Sequence, residues 1–146
     1  DDGTPFFLNG VAGLGSPFWR PDFESRFVGE GSDLQQCRAV LESVAFLVKA
    51  NLDEMDRHLG SPARLVASGG LADNGLLCRM LACLSNVPVD RASDREATSR
   101  GLAFLVAGEP ADFAAQSMQR LEPEPDQELL ARYLKWLELM RAAASN

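Results

Sequence analysis

The chain has 146 residues, a net charge of -7, and 46% apolar against 24% charged side chains. That length suits one ordinary domain with its own core, and that balance excludes a disordered chain. The acidic charge argues against nucleic acid or an anionic membrane as partner, because both need basic patches.

No apolar run approaches the roughly 18 residues of a spanning helix, and no stretch has the signal-peptide pattern. Cys37, Cys78 and Cys83 are odd in number and fall on predicted helices. Cys78 and Cys83 lie five apart, which is no metal spacing, so the three read as reduced small hydrophobes and the expected compartment is the cytoplasm. His58 is the only histidine. It reads as a surface residue, and no metal site and no Ser-His-Asp arrangement is expected.

Pro5 to Leu8 is a short apolar run and a predicted strand. Asn9 to Pro21 holds three glycines, two prolines and two large aromatics, the composition of a structured loop. Phe18 and Trp19 are expected to plug that loop onto the core. Phe27-Val28 is a second candidate strand, ended by Gly29-Glu30-Gly31. Ser32 or Asp33 then caps a long helix over Asp33 to Leu59. Leu34, Cys37, Leu41, Val44, Val48, Leu52, Met55 and Leu59 step by three and four and predict its buried stripe. Glu42 lies beside that stripe and must be paired or reach solvent. Gly60-Ser61-Pro62 ends the helix.

Leu65 to Ala67 is a short apolar run closed by Gly69-Gly70 and reads as a buried strand. Leu76, Leu77, Met80, Leu81 and Leu84 recur at helical spacing, with Asp73 and Asn74 where an N-cap belongs. Val87 to Val89 reads as a second strand, with Pro88 marking an edge or a strand start. Strand, diglycine turn, helix, strand is a βαβ crossover, which predicts a parallel pair. Ligands bind at the carboxyl ends of such strands, and a residue without Cβ lets a ligand approach the backbone. The same glycines also serve a plain tight turn.

Ala92-Ser93-Asp94 is expected to cap the next helix, with Ala97, Gly101, Leu102, Leu105 and Val106 as its inner face and close helix–sheet packing offsetting Gly101. Gly108-Glu109-Pro110 stops it. Ala111 to Ser117 is a candidate helical turn, and Leu121 to Asp126 a loop. Asp126 caps a last helix with Leu129, Leu130, Tyr133, Leu134, Leu137 and Met140 on one face, Trp136 beside that face, and Ala142 to Asn146 frayed. This alternation predicts an α/β layered fold. A Rossmann dinucleotide domain is a poor reading, since no Gly-x-Gly-x-x-Gly follows a strand and Gly13-Leu14-Gly15 lacks the third glycine.

Four motifs in order carry a resemblance. Gly13-Leu14-Gly15-Ser16-Pro17-Phe18-Trp19 with Pro21 is similar to a Gly-x-Gly-Ala-Pro-Tyr-Trp-x-Pro segment. Arg38-Ala39-Val40-Leu41-Glu42-Ser43-Val44-Ala45-Phe46 is similar to an Arg-Ala-x-Leu-Glu-Ser-Ile-Ala helix. Ser68-Gly69-Gly70-Leu71-Ala72-Asp73-Asn74 is similar to an Asp-Gly-Gly, three residues, Asn turn. Arg95-Glu96-Ala97-Thr98-Ser99-Arg100-Gly101-Leu102-Ala103 is similar to a Glu-x-Thr-Ala-x-Gly-Ala-Ala segment. Together they cover roughly residues 6 to 108 and resemble the FGGY family of carbohydrate kinases, glycerol kinases above all. Departures from the pattern are Ser68 for an aspartate, Asp73 for a small residue, Gln36 for an aliphatic one, and a shorter loop after Gly31.

The resemblance implies a ribonuclease-H-like, actin-like ATPase lobe, a mixed sheet flanked by helices whose first strands are missing. Residues 1–146 would be part of the C-terminal nucleotide-binding lobe of a fragment or excised domain, with the sugar-binding N-terminal lobe absent. It implies transfer of the γ-phosphoryl group of ATP, with Mg2+, to a hydroxyl of glycerol or a related sugar or polyol. The family's catalytic aspartate and phosphate-binding segments fall outside these residues, so no catalytic residue is named. Gly69, Gly70 and Asn74 carry over as contacts to adenosine. The implied partners are ATP or ADP and, through the missing lobe, a sugar or polyol; a homo-oligomer is compatible with this. The competing reading is an α/β binding or interaction module that keeps the fold without catalysis, supported by Ser68, Asp73 and the shortened loop.

Overall fold

The computed structural model describes residues 3–92, 96–110, 113 and 117–145. They belong to two units, one built from the chain up to Ser61 together with the stretch from Pro125, the other from Pro62 to Glu124.

In the first unit β1 (Phe6–Leu8) pairs antiparallel with β2 (Arg26–Val28), and Phe7 faces Phe27 with ring centroids 4.8 Å apart. The loop between them is tight. A Cβ on Gly10 would sit 2.4 Å from the Phe23 ring, and one on Gly13, at φ +84°, would meet the Pro21 carbonyl oxygen at 2.5 Å. Phe18 reaches the core and meets Trp136 edge-on at 6.2 Å. Trp19 does not, contrary to expectation, and is 73% exposed. Both of their N–H groups donate to the Gly15 carbonyl, and this turn delivers only the first ring inward.

Ser32 caps α1 (Asp33–Leu59) through a reciprocal box with Gln35. Gly60, at φ +77°, ends it. Its buried residues are Ala39, Glu42, Ser43, Ala45, Phe46 and Ala50. The expected stripe is therefore rotated: Leu34, Cys37, Met55 and Leu59 are exposed. Polar residues occupy the buried face because they are paired. Glu42 accepts from Arg132 Nη2 at 2.7 Å and Nε at 3.0 Å, and from Arg38 Nε at 2.8 Å. Arg132 also donates to the carbonyls of Thr4 and Pro5 at 3.0 Å each.

Arg132 lies on α4 (Gln127–Ala144), whose N-cap Asp126 accepts from the Leu129 N–H. Trp136, expected beside the apolar face, is at its centre. It is fully buried, packs on Phe46 at 5.6 Å, and donates its indole N–H to the Phe7 carbonyl. Leu134 points outward instead. Burial, and then the hydrogen bond to the Asp53 carboxylate at 2.5 Å, push the Tyr133 hydroxyl well above the usual tyrosine pKa.

The second unit holds a mixed sheet in the order β3-β4-β5. β3 (Leu65–Ala67) runs parallel to β4 (Val89–Ala92), as the crossover predicts, and β5 (Met118–Leu121) lies antiparallel to β4. β3 is half-buried rather than buried, with Val66 54% exposed. β4 starts two residues later than expected. Pro88 lies just outside it, lacking an N–H but lending its carbonyl to the Leu65 N–H at 2.9 Å. α2 (Gly75–Ser85) supplies Cys78 and Ala82 to a core with Val89, against which Leu65, Ala67, Leu81 and Leu121 pack.

On β4, Asp90 is buried and joins both neighbouring segments. It accepts from Arg120 on β5 at 2.7 and 2.9 Å and from Arg64, just before β3, at 2.9 Å. The Arg120 bonds, with help from Arg64, hold its pKa down at about 2.

α3 (Ala97–Ala107) follows. The expected Asp94 cap lies outside the described residues, as does most of the candidate turn from Ala111 to Ser117. The expected inner face is not buried: Leu102, Leu105 and Val106 are exposed, and among the described residues nothing lies within 4 Å of a Cβ on Gly101. Phe104 meets Phe113 edge-on at 5.1 Å.

Candidate functional site

β3 delivers the chain to Ser68 at its carboxyl end, beside the carboxyl end of parallel β4, where Ala67 pairs with Arg91. Gly69 then adopts φ +87°, a conformation that L side chains rarely take. Among the described residues no atom lies within 4 Å of a Cβ built on Gly69 or Gly70, so the turn is open on that side. A single 3-10 turn over Gly70–Asp73 follows, closed by Ala72 N–H to Gly69 O at 3.0 Å and Asn74 N–H to Leu71 O at 3.1 Å. Buried Ala72 anchors it, its carbonyl accepting from the Cys78 thiol at 3.4 Å.

Asn74, rather than Asp73, is the N-cap of α2. Its Oδ1 accepts from the Leu76 and Leu77 N–H groups, each at 3.1 Å. That oxygen is committed to the helix, and among the described residues no partner is assigned to the Nδ2 amide. It can donate to a ligand acceptor such as a purine ring nitrogen.

The structure thus brings Gly69, Gly70 and Asn74 together in one turn, where the sequence places them. Two charged neighbours had no clear sequence signal. Arg91 Nη2 lies 3.9 Å from Asp73 Oδ1, and Arg91 and Arg79 reach 3.5 and 3.8 Å from the Cβ position of Gly75. Arg79 is four residues on from Gly75 along α2, but Arg91 arrives through the parallel register of β3 and β4, which no local pattern encodes. Burial pushes the Cys78 thiol pKa up, while these two guanidiniums pull the other way. Arg91 also borders a cavity of about 220 Å³ with Ala92, Ser117, Met118 and Gln119.

His58 lies on the surface, 3.5 Å from Glu54. Among the described residues no group of three or more His, Cys, Asp or Glu side chains can hold a metal ion, and no helix is long and apolar enough to cross a membrane.

Residues 1–108 match the model of the FGGY family of carbohydrate kinases, C-terminal domain. The chain belongs to this family. Curated relatives agree. A glycerol kinase of Trichodesmium erythraeum is 35% identical over 108 residues, 71% of this chain and 21% of that protein. One of Leptothrix cholodnii is 38% identical over 113 residues, 72% of this chain and 23% of that protein. One of Rhodospirillum rubrum is 30% identical over 161 residues, 100% of this chain and 32% of that protein. This FGGY chain therefore spans between about a fifth and a third of the length of these relatives.

Among solved structures, glycerol kinase of Plasmodium falciparum with ADP superposes with a TM-score of 0.76 at 20% identity, covering 98% of this chain and 31% of the other. Xylulose kinase of Lactobacillus acidophilus gives 0.70 at 21% identity, covering 97% and 31%. The fold is thus the actin-like ATPase fold of FGGY kinases, α/β with a mixed sheet.

Proposed function

We propose that this chain is the nucleotide-binding C-terminal lobe of an ATP-dependent sugar or polyol kinase, which transfers the γ-phosphoryl group of ATP to a hydroxyl of glycerol or a related carbohydrate. Gly69, Gly70 and Asn74 are its contacts to the adenosine part of the nucleotide. The observation that carries this is the diglycine turn. It lies at the carboxyl ends of a parallel strand pair, and it ends in an asparagine; among the described residues nothing fills its two Cβ positions and the asparagine Nδ2 has no partner.

Identity of 30–38% to glycerol kinases supports glycerol as the acceptor. Phosphoryl transfer in such enzymes depends on positioning and electrostatic stabilisation of the phosphates, which magnesium commonly shares.

The test is chemical-shift mapping of the 15N-labelled chain with ADP. Shifts centred on Gly69, Gly70 and Asn74 are expected. No shifts at millimolar ADP would favour the binding or interaction module that keeps the fold without nucleotide.

A further inference from the structure

We propose that the first unit holds a second ligand site, a cleft between α1 and α4 that takes an organic carboxylate with an apolar body. The charged end of the ligand meets Arg141, and its body lies on an apolar wall that includes Phe18, Leu134 and Leu137. The site goes beyond the nucleotide reading and does not rest on it, since every residue that forms it belongs to the unit without the diglycine turn.

The cleft has a volume of about 690 Å³, the size of a small-molecule site. Pro17 and Phe18 of the loop after β1, with Leu134 and Leu137 of α4, give it the apolar wall. The core holds that wall in place. The Phe18 ring meets Trp136 edge-on, and Trp136 stacks on Tyr133 with centroids 6.5 Å apart. Arg20 donates to the Ala144 carbonyl and so fixes the last turn of α4 where it borders the cleft. Leu134 is 61% exposed, an apolar surface that an apolar ligand body would cover.

The charged groups of the cleft are not equivalent. Asp53 is taken at both oxygens, by Lys49 and by the Tyr133 hydroxyl. Glu54 accepts from Arg57 and lies 3.5 Å from His58. Asp56 accepts from the Ser61 hydroxyl through Oδ1, and among the described residues no partner is assigned to its Oδ2. Arg141 also lines the cleft, and among the described residues its guanidinium has neither an ion-pair nor a hydrogen-bond partner. The field around Tyr133 decides between a ligand for Arg141 and one for Asp56. Besides its own partner Asp53, the charges that act on the Tyr133 hydroxyl are Arg141 and Arg57, and both favour a negative charge there. Asp53 is itself offset by Lys49. The end of the cleft beside Tyr133 is therefore electropositive and suits an anion. A guanidinium matches a carboxylate through two parallel N–H bonds, and an apolar body removes the adjoining wall from water.

The experiment is a titration of the chain, 13C-labelled at its leucine methyls, with 3-phenylpropionate, 3-phenylpropionamide and 3-phenylpropylamine, repeated on Arg141→Gln. The three compounds share one body and differ in the charge of the head group. The carboxylate is expected to shift the Leu134 and Leu137 methyls saturably in the millimolar range. It should bind about tenfold more tightly than the amide, the size of one hydrogen bond to a charged group. In Arg141→Gln that ratio falls to about one, while the Trp136 indole N–H keeps its native position.

Equal binding of carboxylate and amide overturns the proposal, as does a ratio unchanged in Arg141→Gln. Preference for the amine overturns it in favour of a cation at Asp56. Absence of any saturable shift at Leu134 and Leu137 with millimolar carboxylate overturns it outright. If Arg141→Gln loses the native indole signal, Arg141→Met carries the same comparison. The ADP titration of the diglycine turn reads other residues, so failure of the nucleotide reading and failure of this one are told apart.

Discussion

Asn74 does two jobs with the two ends of one side chain, and they can be separated. Its Oδ1 caps α2, and its Nδ2 is the proposed ligand donor. Asn74→Asp keeps an oxygen for the Leu76 and Leu77 amides and adds negative charge at a helix N-terminus, which the helix dipole favours. It also replaces the donor by an acceptor. The expected result is stability within about 0.5 kcal/mol of wild type by urea melt, with ADP shifts abolished. Asn74→Ala loses both jobs and costs about 1 kcal/mol. Retained ADP binding in Asn74→Asp would remove Nδ2 from the site. Asp90 makes a second residue-level prediction. Its pKa is depressed from 3.8 to about 2 by Arg120 and Arg64. A depressed carboxylate contributes stability above its unfolded pKa and loses it as the pH falls through the folded value. The 62–124 unit should therefore lose stability between about pH 4 and pH 2. Asp90→Asn should flatten that limb of a melting-temperature profile while lowering the plateau above pH 5. A profile of unchanged slope would show that the arginines do not set the titration.

At the scale of elements, Glu42 and Arg132 tie α1 and α4 to the backbone just before β1. Removing one partner leaves the other charge buried, so Glu42→Ala should cost about 3–5 kcal/mol in a urea titration. Replacing both by apolar residues of similar volume should cost much less, because the desolvation of both charges goes with them. Equal losses for the single and double variants would mean that packing alone matters there. This pair also shows why the existence of elements was legible while the faces were not. The bounds of α1 follow from Ser32 and Gly60, the turn of the candidate site from Gly69, Gly70 and Asn74, and the start of α4 from Asp126, all local chemistry. The inward face of α1 departs from the apolar stripe because a hydrophobic count places Glu42 and Ser43 outside, whereas paired polar groups can be buried. Trp136 was displaced for a similar reason: its indole N–H finds a carbonyl on β1, a partner remote in sequence. β5 carries no strand signal in the sequence because its apolar residues, Met118 and Leu121, do not alternate, and its Arg120 is recruited by Asp90 across the sheet. α3 is the opposite case, an apolar stripe read as inward that the structure leaves exposed.

For the whole molecule the decisive quantity is how little of a kinase the matched residues represent. The chain corresponds to 21–32% of its glycerol kinase relatives, and the family model it matches is a C-terminal domain. Phosphoryl transfer needs the acceptor hydroxyl held in line with the γ-phosphate and a group to orient or deprotonate it, and this positioning accounts for much of the rate. Near the candidate turn the carboxylate that the structure places is Asp73, already beside Arg91. The 146-residue chain should therefore bind ADP but not turn ATP over. Incubated with γ-labelled ATP, magnesium and glycerol, it should yield no labelled glycerol phosphate above a protein-free control. Binding without turnover is the combination a nucleotide lobe predicts, and absence of both is what a degenerate module predicts. Robust ATP-dependent labelling of glycerol would mean that this chain holds an acceptor site and a base that the present reading does not assign.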